Sequence, residues 1–195
     1  RAIKWFPFLI ENSDKIIAQF DNFEEKSWPV AIQLAQKYPH VDFSDVRVIA
    51  LPSLMMFDGM VTKVDGHFTA LFGMDFFEMV TQNPKVIEGA ELINNPLVIV
   101  AHEFTHVLHT KVSDFTDSDT LSTLLDPLWR EGLAQVNSQM LVPGTDLANI
   151  FMERNIAEKC TSSNVKVWAE YFTKDSEASN ESELWEKYGK WFFIN

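Results

Sequence analysis

Leu97-Val98-Ile99-Val100-Ala101-His102-Glu103-Phe104-Thr105-His106-Val107-Leu108-His109 follows directly on Asn95-Pro96. Asn is a favourable N-cap and Pro suits a first helical position, so a helix is predicted over residues 96–111. Apolar residues run nearly all the way round it, which predicts a buried helix. The pattern H-E-x-x-H interrupts that apolar surface. His102 and His106 stand at i and i+4, on one face and one turn apart. That spacing lets two imidazoles reach one Zn2+ at about 2.0–2.1 Å each. Glu103 lies about 100° further round, beside such an ion without ligating it. From there it can take the proton of a zinc-bound water. Burying two histidines and a carboxylate among aliphatic neighbours is costly unless they are paired or bound to a metal.

Two imidazoles leave a catalytic zinc one protein ligand short of three. Glu131 is the candidate for the third, 131 − 106 = 25 positions after His106, in Trp129-Arg130-Glu131-Gly132-Leu133-Ala134. The alternative for Glu131 is a first-turn carboxylate favoured by the helix dipole. Asp126-Pro127 opens its helix, expected over residues 127–142 and closed by Pro143-Gly144. The predicted apolar stripe is Leu128, Leu133, Val136 and Met140, with Glu131 near it. Gly132 lowers helix stability by about 1 kcal/mol relative to Ala, and close approach to the histidine helix is the expected reason for it. His109, one turn beyond His106, is expected as a supporting or surface histidine. As a fourth ligand it would close the site and favour a structural metal.

Val100-Ala101-His102-Glu103-Phe104-Thr105-His106-Val107, followed by Arg130-Glu131-Gly132-Leu133-Ala134, resembles the gluzincin group of zinc metallopeptidases. Within that group it is most similar to a bacterial family of predicted zinc-dependent peptidases. The resemblance is specific between His102 and Ala134 and vaguer before it. It implies a zincin-like α+β fold, with a small mixed or antiparallel sheet, an active-site helix beneath an edge strand, and a helix bearing the third ligand. It also implies that His102, His106 and Glu131 hold Zn2+, that Glu103 is the catalytic base, and that the substrate is a peptide or protein. Three departures stand out. Thermolysin-like members carry an Asp four residues after the ligand Glu, which orients the first His; here Gln135 stands there, an uncharged acceptor. Those members often place a Tyr between the second His and the ligand Glu; here there is none, so Tyr171, Tyr188 or a residue beyond Asn195 is left to stabilise an oxyanion. The metzincin pattern needs Gly at 109 and His at 112, where this chain has His109 and Val112.

Around this segment the chain reads as one α+β domain of 195 residues. Ile16, Ile17, Phe20 and Phe23 recur at helical spacing after Asn12-Ser13-Asp14, and a second short helix is expected over residues 29–38, so residues 12–40 are N-terminal helices. Residues 46–73 read as an antiparallel meander, with a first strand at 46–51, Pro52 interrupting it or placing it at an edge, and Asp58-Gly59 and Asp65-Gly66 as hairpin turns. Residues 67–72 are expected to be its exposed edge, where a substrate strand could pair and where Pro at Thr69 or Leu71 should raise KM. Asn180 with Glu183 resembles a capping box for a C-terminal helix at 181–194, burying Leu184, Trp185, Tyr188, Trp191 and Phe192.

Composition narrows the alternatives. The net charge of −12 disfavours a nucleic-acid partner and an anionic membrane surface. No apolar run reaches the roughly 18 residues of a membrane span. Cys160, alone, excludes an internal disulfide and a cysteine zinc cluster, and is expected to be a small buried residue. Asp114, Asp117 and Asp119 lack the spacing of a Ca2+ loop and are expected in a solvated loop. The chain starts at Arg1, which fits a processed, exported chain, whether periplasmic, lipoprotein or secreted, and it ends on an apolar segment that either docks or continues. Oligomeric state is not written in the sequence. Two readings compete with hydrolysis: a catalytically silent zinc-binding scaffold, and a helical interaction module in which the motif is coincidental.

Overall fold

A long amphipathic helix dominates the N-terminal third. After a short α1 (Phe6–Glu11), α2 runs unbroken from Ser13 to Lys37. The two helices expected over residues 12–40 are therefore one, with Pro29 inside it. Pro removes one helical hydrogen bond and costs roughly 3 kcal/mol, but packing outweighs that here. Ile16, Phe23, Ser27, Val30 and Leu34 form one continuous buried stripe on either side of the proline. The computed structural model describes residues 5–83, 95–113, 123–178 and 180–192. The acidic loop of Asp114, Asp117 and Asp119 and the last three residues lie outside these.

The sheet holds β1 (Arg47–Leu51), β2 (Gly59–Val64) and β3 (His67–Gly73), in the order β1-β3-β2. β2 and β3 form an antiparallel hairpin, with Thr62 opposite Thr69. Its turn is Asp65-Gly66, as expected, with φ of 51° and 80°. β1 runs parallel to β3, Ile49 opposite Leu71, so the sheet is mixed and not a simple meander. β3 is the central strand, and the edges are β1 and β2. The expectation of an exposed edge at 67–72 is thus overturned, and Pro at Thr69 or Leu71 would break the sheet and not probe an edge. Asp58-Gly59 is no hairpin turn either. The 53–58 segment is a loop in which Leu54 and Met55 take φ of 55° and 61°, and Gly59 is already the first residue of β2.

Three further elements complete the body. Helix α3 (Met74–Gln82), absent from the sequence reading, continues directly from β3. Helix α4 (Pro96–Val112) starts as predicted, the Asn95 side chain accepting from the Leu97 N–H at 3.2 Å. It is buried from Val98 to Leu108 without a break. It packs against α2 and the sheet, where Phe72 meets Phe23 at 4.9 Å and Phe104 edge-on at 6.2 Å between ring centroids. Helix α5 (Leu125–Leu141) lies along α4, and the Ser138 hydroxyl reaches the Val98 carbonyl at 3.3 Å.

The stripe predicted for α5 faces the wrong way. Leu128, Val136 and Met140 are 46%, 55% and 46% exposed. The buried residues are Pro127, Ala134, Asn137, Ser138 and Leu141. Small side chains let α5 lie close to α4, a role assigned in advance to Gly132; a Cβ at Gly132 would point into open space.

Beyond α5 come α6 (Leu147–Ile150), α7 (Arg154–Lys159), α8 (Ser162–Asp175) and α9 (Glu181–Phe192). The first three were not anticipated. Asn180 caps α9 as expected, accepting from the Glu183 N–H at 3.0 Å. Of the aromatic residues expected to be buried on α9, Trp185 is 44% exposed. Leu184 packs with Phe172 and Leu124 in a satellite core. Asp175 at the end of α8 clamps α9, accepting from the Trp191 indole at 2.9 Å and pairing with Lys190. Cys160 is half-buried, in the C-cap of α7 and not in the core. No described helix is long and apolar enough to cross a membrane.

Candidate metal centre

The geometry begins with the close packing of α4 on α5. Pro127, Ala134, Ser138 and Leu141 recur along the inner face of α5 with spacings of seven, four and three residues. Glu131 fills the missing step, four after Pro127 and three before Ala134, and so faces the histidine helix. Its Oε2 lies 3.0 Å from His102 Nε2 and 3.5 Å from His106 Nε2. The two Nε2 atoms are 3.0 Å apart, with the rings nearly perpendicular at 83°. Both histidines are 8% exposed, whereas the Glu131 side chain keeps 41% of its surface open.

Three lone-pair-bearing atoms thus converge on one point, and together they could hold a metal ion. A tetrahedral ion with bonds of about 2.0–2.1 Å keeps its ligand atoms roughly 3.3 Å apart, close to the triangle seen here. The donor set, two imidazoles and one carboxylate, suits a borderline cation such as Zn2+. Without a cation the cluster must be held by protons. Burial opposes a charge on His102, but the hydrogen bond to Glu131 and the carboxylates of Glu103, Glu131 and Asp58 together raise its pKa. His106 is lowered, chiefly by burial. Burial would raise Glu131, yet hydrogen bonds from both imidazoles hold its carboxyl well below the usual carboxylate range.

Glu103, the next residue along α4, is 7% exposed and within electrostatic reach of both His102 and Glu131. Burial pushes its pKa up to about 8, against the pull of His102; Asp58 and Glu131 add to the rise. Its roof is the start of β2. A Cβ built at Gly59 would lie 2.6 Å from Glu103 Cγ and 2.8 Å from Oε1. Asp58, half-buried beside it, accepts from the Gly59 N–H at 2.7 Å, and burial raises its own pKa. Sequence reasoning missed both residues, because Asp58-Gly59 looked like a turn.

The remaining candidates divide. Tyr188 on α9 is within electrostatic reach of Glu131, whose charge adds to the burial that raises its pKa. Tyr171 on α8 is 59% exposed, and no interaction among the described residues ties it to the triad. His109 is outside the three-residue cluster; burial lowers its pKa, with Arg130 and His106 adding to the effect. Gln135 does not orient His102: its Oε1 and the Nδ1 atoms of His102 and His106 are all buried without a hydrogen-bond partner among the described residues. Comparison with family models, with curated proteins and with solved structures finds no match to this chain.

Proposed function

We propose that this chain is a zinc-dependent peptide hydrolase with a zincin-like arrangement of edge strand, histidine helix and glutamate helix. One observation carries the reading: Nε2 of His102, Nε2 of His106 and Oε2 of Glu131 converge at 3.0–3.5 Å while an unligated, buried Glu103 stands next to them. A bound Zn2+ would supply Lewis acidity toward a carbonyl oxygen and toward water. His102, His106 and Glu131 would hold it. Glu103 takes a proton from the attacking water onto its carboxylate and returns it to the leaving amine. Burial raises its pKa, so its surroundings favour holding a proton, and a cation nearby would lower that pKa. Tyr188, within electrostatic reach of Glu131, is the phenol assigned here to donate to a developing oxyanion. Substrate backbone pairs along β2, the edge strand whose first residue covers Glu103.

A zinc-holding scaffold without turnover is the second reading, and the unbonded Gln135 Oε1 favours it, since no acceptor orients His102 through that residue. Metal analysis and a peptide library separate these readings. Hydrolysis requires about one zinc per chain and cleavage that falls at least about 1,000-fold in Glu103→Gln. Zinc with no Glu103-dependent cleavage leaves the scaffold, and absence of zinc binding removes both.

A further inference from the structure

The 53–59 segment is bound at one end to a buried carboxylate outside the His102, His106 and Glu131 cluster and packs at the other against Glu103. Asp75, in the first turn of α3, is wholly buried. It accepts three hydrogen bonds from this segment: Ser53 N–H at 2.6 Å and Ser53 Oγ at 3.0 Å on Oδ1, and Met55 N–H at 2.9 Å on Oδ2. Among the described residues no cation pairs with it; its partners are two N–H groups and one hydroxyl of this loop, in which Leu54 and Met55 stand at positive φ. The other end of the segment is tied as well. The Asp58 carbonyl accepts from Gly73 N–H at 2.8 Å. The fit is tight enough that a Cβ at Gly73 would lie 2.1 Å from the Phe57 carbonyl oxygen. From this anchored loop β2 emerges, and its first residue, Gly59, lies against Cγ, Cδ and Oε1 of Glu103.

We propose that Asp75 is a positioning residue for Glu103, acting through the 53–58 loop and the side-chain-free surface of Gly59. The proposal rests on the reading of Glu103 as the proton-transferring group. Loosening the loop lets Glu103 turn away from the water it serves while the three ligand atoms, on α4 and α5, stay in place. A misplacement of about 1 Å at such a group costs on the order of 100-fold in rate.

Three variants test this. Asp75→Asn keeps the shape but turns an amide donor toward Ser53 or Met55; Ser53→Ala removes one donor only; Gly59→Ala drives a methyl into Glu103. Leu34→Ala, in the α2 core, serves as a control for general destabilisation. In Ser53→Ala and Asp75→Asn, zinc affinity measured by chelator competition stays within about 3-fold of wild type. In the same variants kcat on a quenched-fluorescent peptide library falls about 10- to 100-fold with KM unchanged. Gly59→Ala retains zinc and loses at least as much kcat. Leu34→Ala retains kcat. Full kcat in folded Ser53→Ala and Gly59→Ala overturns the proposal, whether or not Asp75→Asn folds. If wild type shows no Glu103-dependent cleavage, the hydrolase reading fails by itself. The positioning claim is then judged by NMR of 13C-glutamate-labelled protein. The Glu103 carboxyl signal, assigned by its loss in Glu103→Gln, moves in Ser53→Ala and Gly59→Ala and not in Leu34→Ala; a signal that stays put in all three sinks it.

Discussion

Glu103 is the residue whose placement is hardest to explain by stability alone. It is a carboxyl that forms no ion pair among the described residues, with His102, Asp58 and Gly59 beside it. In the zinc-free protein its pKa rises from 4.5 to about 8. The folded state therefore binds a proton that the unfolded state releases, and stability falls as pH rises through that interval. His102, also raised, adds a loss in the same direction; Glu131, held low, contributes stability that is lost only on acidification. Glu103→Gln cannot ionise. It should flatten the decline between pH 5 and 8 and leave the zinc-free protein more stable at pH 8 by about 2 kcal/mol. Urea unfolding at a series of pH values, with chelator present, measures this. A variant that is no more stable than wild type at pH 8 would show that the carboxylate is solvated in the folded protein.

The elements show what the sequence could carry and what it could not. Helix α4 was legible because its start has a cap, its flanks are apolar all round, and its polar residues are few and regularly placed. Three of the four candidate site residues, His102, Glu103 and His106, lie on it, and Glu131 is the fourth. Helix α5 was located but its faces were reversed, because hydrophobicity was taken to mark the buried side. Close packing on α4 selects small residues, and Ala134 and Ser138, both at 0% exposure, do what Leu128 and Val136 were expected to do. The sheet order was hidden for a similar reason. β1 reaches its parallel partner β3 beyond a 53–58 loop that Asp75 binds, and a contact between residues 53 and 75 leaves no local pattern. Helix α5 also gives a direct prediction. Gly132 lies in mid-helix with nothing near its missing Cβ. Gly132→Ala should raise stability by about 0.5–1 kcal/mol without altering zinc affinity. A destabilised variant would mean that the small surface at 132 is covered in solution.

For the whole molecule, a bound metal would tie together two successive helices, α4 and α5. α4 carries His102 and His106 and α5 carries Glu131, the three residues that could hold an ion, and the unfolded chain has no such preformed site. Zinc at about 1,000 times its Kd then adds on the order of 4 kcal/mol to stability, which for a domain of this size raises Tm by roughly 10 °C. Chelator should reverse the rise, and His106→Ala or Glu131→Gln should abolish it. The pH dependence has a definite sign. Zinc needs neutral imidazoles, and protons compete for the same Nε2 atoms. Glu131 stays ionised to low pH and does not set the limit, whereas His102, whose pKa is raised, protonates first. The zinc-dependent Tm gain should therefore be full at pH 8 and shrink as pH falls through the histidine range, reaching nearly nothing by about pH 5. Scanning calorimetry with and without zinc at each pH follows it directly. A gain unchanged down to pH 5 would place the metal on carboxylates and not on His102 and His106, and no gain at any pH would mean that the convergence of α4 and α5 does not bind it.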